Sequence, residues 1–137
     1  MANKNRFIGR QFGAYTIKEF IANGGMADVY KAHDAGLDRP VALKILFPQF
    51  SRNAEFTSRF SREAKAAARL RHPNIVQVYS TGKSDQEEPY IAMEYVEGGS
   101  LENKLVDLAE KGELIEVGLV LELVLQIADA LREAQKI

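Results

Sequence analysis

Hydrophobic and polar positions change period several times along the chain, and each change marks an element. From Ala14 to Ile21 the text AYTIKEFI is rich in β-branched and aromatic residues and predicts a strand. Asn23-Gly24-Gly25 is a turn signal, and Asp28 to Ala32 predicts the returning strand of a hairpin. After a second turn, Asp34 to Pro40, a third strand runs from Val41 to Phe47, and Pro48 stops it. The period then shifts. Phe56, Phe60, Ala64, Ala67 and Leu70 recur at spacings of three and four, which predicts a helix from about Ala54 to Leu70. Arg71-His72-Pro73-Asn74 breaks it. Ile75 to Tyr79 and Pro89 to Val96 predict two further strands. Glu97-Gly98-Gly99 is another break, and Ser100 is placed to N-cap a helix from Leu101 to about Lys111. A last helix runs from about Glu116 to the C-terminus.

Five strands with one inserted helix, followed by two helices, predict an α+β fold with an antiparallel sheet. The composition shifts at Glu97–Ser100. Residues 1–12 are expected to form a loose polar lead-in, 13–97 the strand-rich part and 98–137 the helical part. In the last helix Leu119, Val120, Leu121, Leu123, Val124, Leu125, Ile127, Ala128, Ala130 and Leu131 cover nearly every side. A helix apolar all round is normally buried in a larger core, so partner elements are expected to follow in a longer parent.

Composition narrows the function classes. The net charge is -1, which gives no reason to expect nucleic acid or an anionic membrane as partner. There is no cysteine, which excludes disulfides, thiolate metal sites and cysteine nucleophiles and fits a cytoplasmic location. His33 and His72 have no metal-ligand spacing, and no metal site is expected. The N-terminal text MANKNRFIGR has no apolar core segment and is not a secretory signal. Val117 to Leu131 is interrupted by Glu122, Gln126 and Asp129 and is too short to span a bilayer.

Three features carry candidate chemistry. Alternation puts Val41, Leu43 and Ile45 on one face of the third strand, and Ala42, Lys44 and Leu46 on the other. Taken alone, Lys44 reads as an exposed lysine whose stem lies along apolar neighbours. Glu63 shares its helix face with Phe60 and Ala67, where a carboxylate is costly to bury unless paired. Taken alone, it reads equally well as a stripe-edge residue reaching solvent. One lysine and one glutamate turned inward on adjacent elements suggest an ion pair. The third feature is the turn inside IANGGMADVY, Ile21 to Tyr30, whose glycines let the backbone approach a phosphate chain. It opens no helix and no Gly-Lys-Ser/Thr follows, so it fits neither a dinucleotide fingerprint nor a Walker loop. By itself it reads as a hairpin turn.

In conjunction these features resemble a family. GGMADVYKAHD (Gly24 to Asp34), RPVALKIL (Arg39 to Leu46), RFSREAKAAARLRHPNIVQVY (Arg59 to Tyr79) and MEYVEGGSL (Met93 to Leu101) are similar, in order and spacing, to eukaryotic-like serine/threonine protein kinases of the bacterial type. The resemblance implies a kinase N-lobe, residues 13–97, followed by the first helices of an incomplete C-lobe. It also implies ATP as ligand. Lys44 would pair its α- and β-phosphates, oriented by Glu63. Ile21, Ala22, Asn23, Gly24 and Gly25 would roof the nucleotide. Val29 and Ala42 would sandwich the adenine, with Leu101 extending the apolar floor. Met93 matches the gatekeeper, and the backbone of Glu94 and Val96 the hinge that binds the base. Ser100 sits where the family often contacts the ribose. Ala67 and Val78 match a packed column between helix and sheet.

Two departures follow from the same alignment. The family's G-x-G-x-x-G-x-V reads here Ala22-Asn23-Gly24-Gly25-Met26-Ala27-Asp28-Val29, and only the middle glycine stands in place. Ala22 is expected to penalise left-handed backbone by roughly 1 kcal/mol. These residues also contain no H-R-D-x-x-x-x-N loop and no D-F-G. Magnesium is therefore expected only in a full-length parent, the last helix is expected to be covered by the rest of the C-lobe, and this polypeptide is expected to be inactive alone. Two other readings stand beside the truncated enzyme: a non-catalytic, pseudokinase-like module that binds nucleotide or protein, and, well below it, a small-molecule phosphotransferase. The protein substrate is not written in these residues.

Overall fold

Alternating side chains along Val41 to Leu46 explain why this strand lies at the centre of a sheet covered on both faces. Val41, Leu43 and Ile45 are fully buried, and so is Leu46 on the opposite face. The computed structural model describes residues 4–136. They divide into two compact units, one formed by the residues up to Arg69 together with Gln77–Tyr95, the other by Leu70–Val76 together with the residues from Val96 on.

The first unit holds the sheet. Its strands are β1 (Gln11–Phe12), β2 (Tyr15–Asn23), β3 (Ala27–Asp34), β4 (Arg39–Leu46), β5 (Val78–Lys83) and β6 (Pro89–Glu94). They are antiparallel in the order β1-β2-β3-β4-β6-β5. Among the described residues the sheet has six strands; the one beyond the expected five is β1, too short to show a period. Two helices belong to this unit, α1 (Pro48–Ser51) and α2 (Ala54–Ala67). Pro48 stops β4 as expected but also opens α1, where its missing N–H costs nothing. The Asn53 side chain caps α2 by accepting from the Glu55 N–H at 2.9 Å.

Each face of the sheet has its own cover. On one face Ala27, Leu46 and Ile91 pack with Phe60 and Ala64 of α2, and Val78 and Met93 lie against the same cluster. On the other face Ile17, Tyr30, Leu43, Tyr90 and Ala92 pack with Phe7 and Phe12 from the N-terminal segment. The expected loose lead-in is corrected by this structure over the part that is described, residues 4–12; residues 1–3 lie outside the described residues. Phe7 meets Phe12 and Tyr30 edge-on at 5.5 and 5.6 Å, and Phe12 meets Tyr90 at 5.7 Å. The segment reads as polar because its two buried aromatics are five positions apart and show no strand or helix period.

A buried carboxylate ties this segment to the β5–β6 turn. Glu88 accepts two hydrogen bonds from the Arg10 guanidinium, at 3.1 and 2.7 Å, and a third from the Ser84 hydroxyl at 2.7 Å. The guanidinium also lies over the rings of Phe7 and Phe12. Burial opposes the charge on Glu88, but the Arg10 and Ser84 hydrogen bonds outweigh it and hold the carboxyl below the usual glutamate range. Close by, the Tyr90 ring tip fills a slot floored by two glycines. A Cβ on Gly13 or Gly82 would lie 2.6 Å from the Tyr90 Oη, and Gly13 in addition takes φ +59.

The second unit holds α3 (Leu101–Glu110) and α4 (Val117–Ala134). Ser100 caps α3 in a reciprocal capping box with Asn103. The break at Arg71–Asn74 is a built clip. The His72 Nδ1 accepts from the Asn74 N–H at 3.0 Å, which puts the ring proton on Nε2, 2.8 Å from the Asp129 carboxylate. Asn74 donates to the Gln126 carbonyl of α4 at 3.2 Å. This clip explains why β5 starts at Val78 and not at Ile75: residues 70–76 belong with α4. Along α4 Leu121, Leu125 and Leu131 are 60%, 70% and 60% exposed, and Ala130 is the buried residue of the helix. The expected run of α4 to the C-terminus includes Ile137, which lies outside the described residues.

Two substitutions test this account of the first unit. Arg10→Ala should cost about 2 kcal/mol in urea unfolding, because it strips a buried carboxylate of its main donor. The stability of the unmodified chain over Glu88→Gln should be complete above the ordinary glutamate range. It should fade as the pH falls through the depressed folded-state value, since that is where the native carboxylate takes up its proton. A difference constant into strong acid refutes the assignment. Gly82→Ala should cost about 1–3 kcal/mol by thermal unfolding, because the added methyl meets the Tyr90 ring in a packed slot.

Candidate functional site

Strand register decides which candidate residues share a surface. Across β3 and β4, Val29 is paired with Lys44 and Lys31 with Ala42; across β4 and β6, Ala42 is paired with Met93 and Lys44 with Ile91. Directly paired residues point to the same face. Val29, Ala42, Lys44 and Met93 therefore stand together, on the face that α2 covers farther along the sheet. Ala42 is buried and Val29 and Met93 are half-buried, so the patch around Lys44 is apolar while the ammonium is exposed.

Glu63 lies on α2, over the same face. Its carboxylate is 63% exposed and accepts from the Arg59 Nε at 3.0 Å, one helical turn back. Lys44 forms no ion pair with it. The suggested Lys44–Glu63 bridge is thus not closed in this structure. The physical reason is local: α2 turns Phe60 and Ala64 into the core, which leaves Glu63 on the flank of the apolar stripe, within reach of its i−4 neighbour. The alanine buried under this helix is Ala64, not Ala67, which is half-buried.

The glycine hairpin is exposed from Ile21 through Gly25. The Gly24 N–H donates to the Ala27 carbonyl at 2.9 Å, and the Asn23 amide donates to the buried Asp28 carboxylate at 2.6 Å. The strain expected at Ala22 is absent. Ala22 pairs with Val29 beside a register shift in β2, and its φ is not in the left-handed region. Neither Gly24 nor Gly25 takes a left-handed φ. Alanine is accommodated because the backbone there is extended.

At the end of β6, Glu94 is fixed twice. Its N–H donates to the Gln77 carbonyl at 2.9 Å, and its carboxylate accepts from the Gln77 N–H at 3.1 Å. The side chain is committed to Gln77, the residue before β5, which leaves the main chain as the part available to a ligand. The remaining candidates belong to the second unit. Val96 and Leu101 are exposed, and the Ser100 hydroxyl accepts from the Asn103 N–H at 3.1 Å as part of the α3 cap.

Sequence reasoning missed Arg59 as the partner of Glu63, although the i,i+4 rule for opposite charges was sufficient to find it. It also missed Lys31, whose ammonium lies 4.5 Å from the centre of the Tyr95 ring. No local pattern signals that contact. Among the described residues, no group of three or more His, Asp or Glu side chains is placed to hold a metal ion, and no helix is long and apolar enough to cross a membrane.

The protein kinase domain family matches residues 15–134. Serine/threonine-protein kinase PksC of Streptomyces coelicolor is 43% identical over 117 residues, 81% of this chain and 21% of that protein. Serine/threonine-protein kinase PrkC of Bacillus subtilis is 50% identical over 95 residues, 69% of this chain and 14% of that protein. The chain thus spans about a fifth of the length of these relatives, or less. The crystal structure of the PknI kinase domain of Mycobacterium tuberculosis superposes with a TM-score of 0.75 at 35% identity, covering 93% of this chain and 50% of that one. The chain belongs to the protein kinase domain family, on its bacterial serine/threonine side.

Proposed function

We propose that these residues are the ATP-binding part of a serine/threonine protein kinase that transfers the γ-phosphoryl of ATP to protein hydroxyls. The observation that supports it best is the register that sets Lys44 among Val29, Ala42 and Met93 on one sheet face. An adenine ring needs flat apolar walls, and a triphosphate needs a cation at a fixed distance from them. Val29 and Ala42 supply the walls and Lys44 the cation. The hairpin from Ile21 to Gly25 covers the phosphates, and the Glu94 and Val96 main chain holds the base. By the same family resemblance Ser100 and Leu101 belong to the nucleotide-binding set. Glu63 serves by exchanging Arg59 for Lys44 and so fixing the ammonium on the phosphates. Such a role places these residues in the cytoplasm, where ATP is held. The residues that would hold magnesium and take the substrate proton are not among these 137, so the transfer belongs to a longer parent.

Lys44→Met should weaken MgADP binding at least about tenfold, since a charge-assisted contact to phosphate is worth roughly 1.5–3 kcal/mol. Calorimetric titration of the 137-residue chain checks it, and unchanged affinity sinks the site. The same chain mixed with labelled ATP, magnesium and a generic protein substrate should yield no phosphoprotein.

A further inference from the structure

We infer that Lys31 is a positioning residue for the Glu94–Tyr95 main chain, acting through the Tyr95 ring; this rests on the nucleotide reading above. The sheet stops supporting the chain where the base-binding segment begins. β6 ends at Glu94, where the Gln77 hydrogen bonds and the pairing with Val41 hold the backbone. Tyr95 lies beyond that ladder.

Lys31 reaches it from β3. Register places Lys31 beside Ala42, and Ala42 beside Met93, so the lysine stands two strands from β6 on the face that carries the proposed adenine walls. Glu19 is its directly paired neighbour in β2 and offers a carboxylate. The ammonium nonetheless lies 4.5 Å from the Tyr95 ring centre, within the range of a cation–π contact. Both residues are half-buried, which reduces the competition from water. A ring held from one side fixes its own Cα, and with it the peptide between Glu94 and Tyr95. The carbonyl of Glu94 belongs to that peptide, and its carboxylate is already committed to Gln77. Lys31 thus acts on the base without touching it, whereas Lys44 acts on the phosphates.

The contact is of a size that changes affinity about two- to fivefold. Three versions of the 137-residue chain decide the matter: unmodified, Lys31→Met and Lys31→Arg. MgADP and MgGDP are titrated into each. Deuterium uptake of the segment 93–97 and the urea midpoint are measured without nucleotide. Lys31→Met should lower the preference for ADP over GDP two- to fivefold and speed exchange at 93–97, with the urea midpoint little changed. Lys31→Arg, which keeps a cation over the ring, should restore both. An unchanged ADP/GDP ratio in Lys31→Met, or no recovery in Lys31→Arg, overturns the inference. If the unmodified chain binds no ADP, the nucleotide reading falls by itself. Exchange at 93–97 still decides the role of Lys31 in that case: faster exchange in Lys31→Met upholds it and equal exchange refutes it.

Discussion

A charged lysine cannot be folded into an apolar interior, yet the first unit builds an interior on both sides of the strand that carries one. That constraint organises the unit. β4 buries Val41, Leu43 and Ile45 against the N-terminal aromatics, and Ala42 and Leu46 against the other face. Lys44 stays exposed because α2 covers only part of that face, over Leu46, Ala27 and Ile91. The uncovered part, formed by Val29, Ala42 and Met93, is apolar and is flanked by two cations, Lys44 and Lys31. A sheet packed equally on both faces would have no place for such a patch; a sheet open on one face would surround the lysine with water and weaken any contact to an anion.

The second face is what makes this affordable to the fold. Residues 4–12 supply Phe7, Phe12 and Arg10 to the face opposite α2. Their attachment depends on Glu88, whose desolvation is offset only because Arg10 and Ser84 complete its hydrogen bonds. The cover is therefore specific. It is a polar lock over an aromatic cluster, and both parts come from opposite ends of the unit's sequence.

Much of this was legible in the sequence because it is periodic. The existence of β2, β3, β4, β6 and α2 and the cap at Ser100 follow from alternation, three-and-four spacing or capping chemistry, although the strands expected from Ala14, Asp28 and Val41 start at Tyr15, Ala27 and Arg39. The same alternation placed Ala42 and Lys44 together. What was not legible depends on distant partners. Residues 4–12 have no period, and their order comes from Glu88, dozens of residues away. The start of β5 is set by His72 and Asn74 binding α4, a contact between residues more than fifty positions apart. The strain assigned to Ala22 came from aligning a pattern, and it vanished because the β2 bulge gives that position ordinary extended backbone.

The open distance between Lys44 and Glu63 has to be judged by its energy. The Arg59–Glu63 pair is a solvent-exposed i,i+4 contact, with the base N-terminal to the acid, and such pairs stabilise by only about 0.3–0.5 kcal/mol. That is about a twofold bias, so Arg59 does not lock Glu63 away from Lys44. An anion bound beside Lys44 changes the balance more. It holds the ammonium in place and excludes water, and a carboxylate brought to a desolvated, fixed cation gains more than one on an exposed arginine. The Arg59 contact is thus too weak by itself to fix Glu63 in its present position.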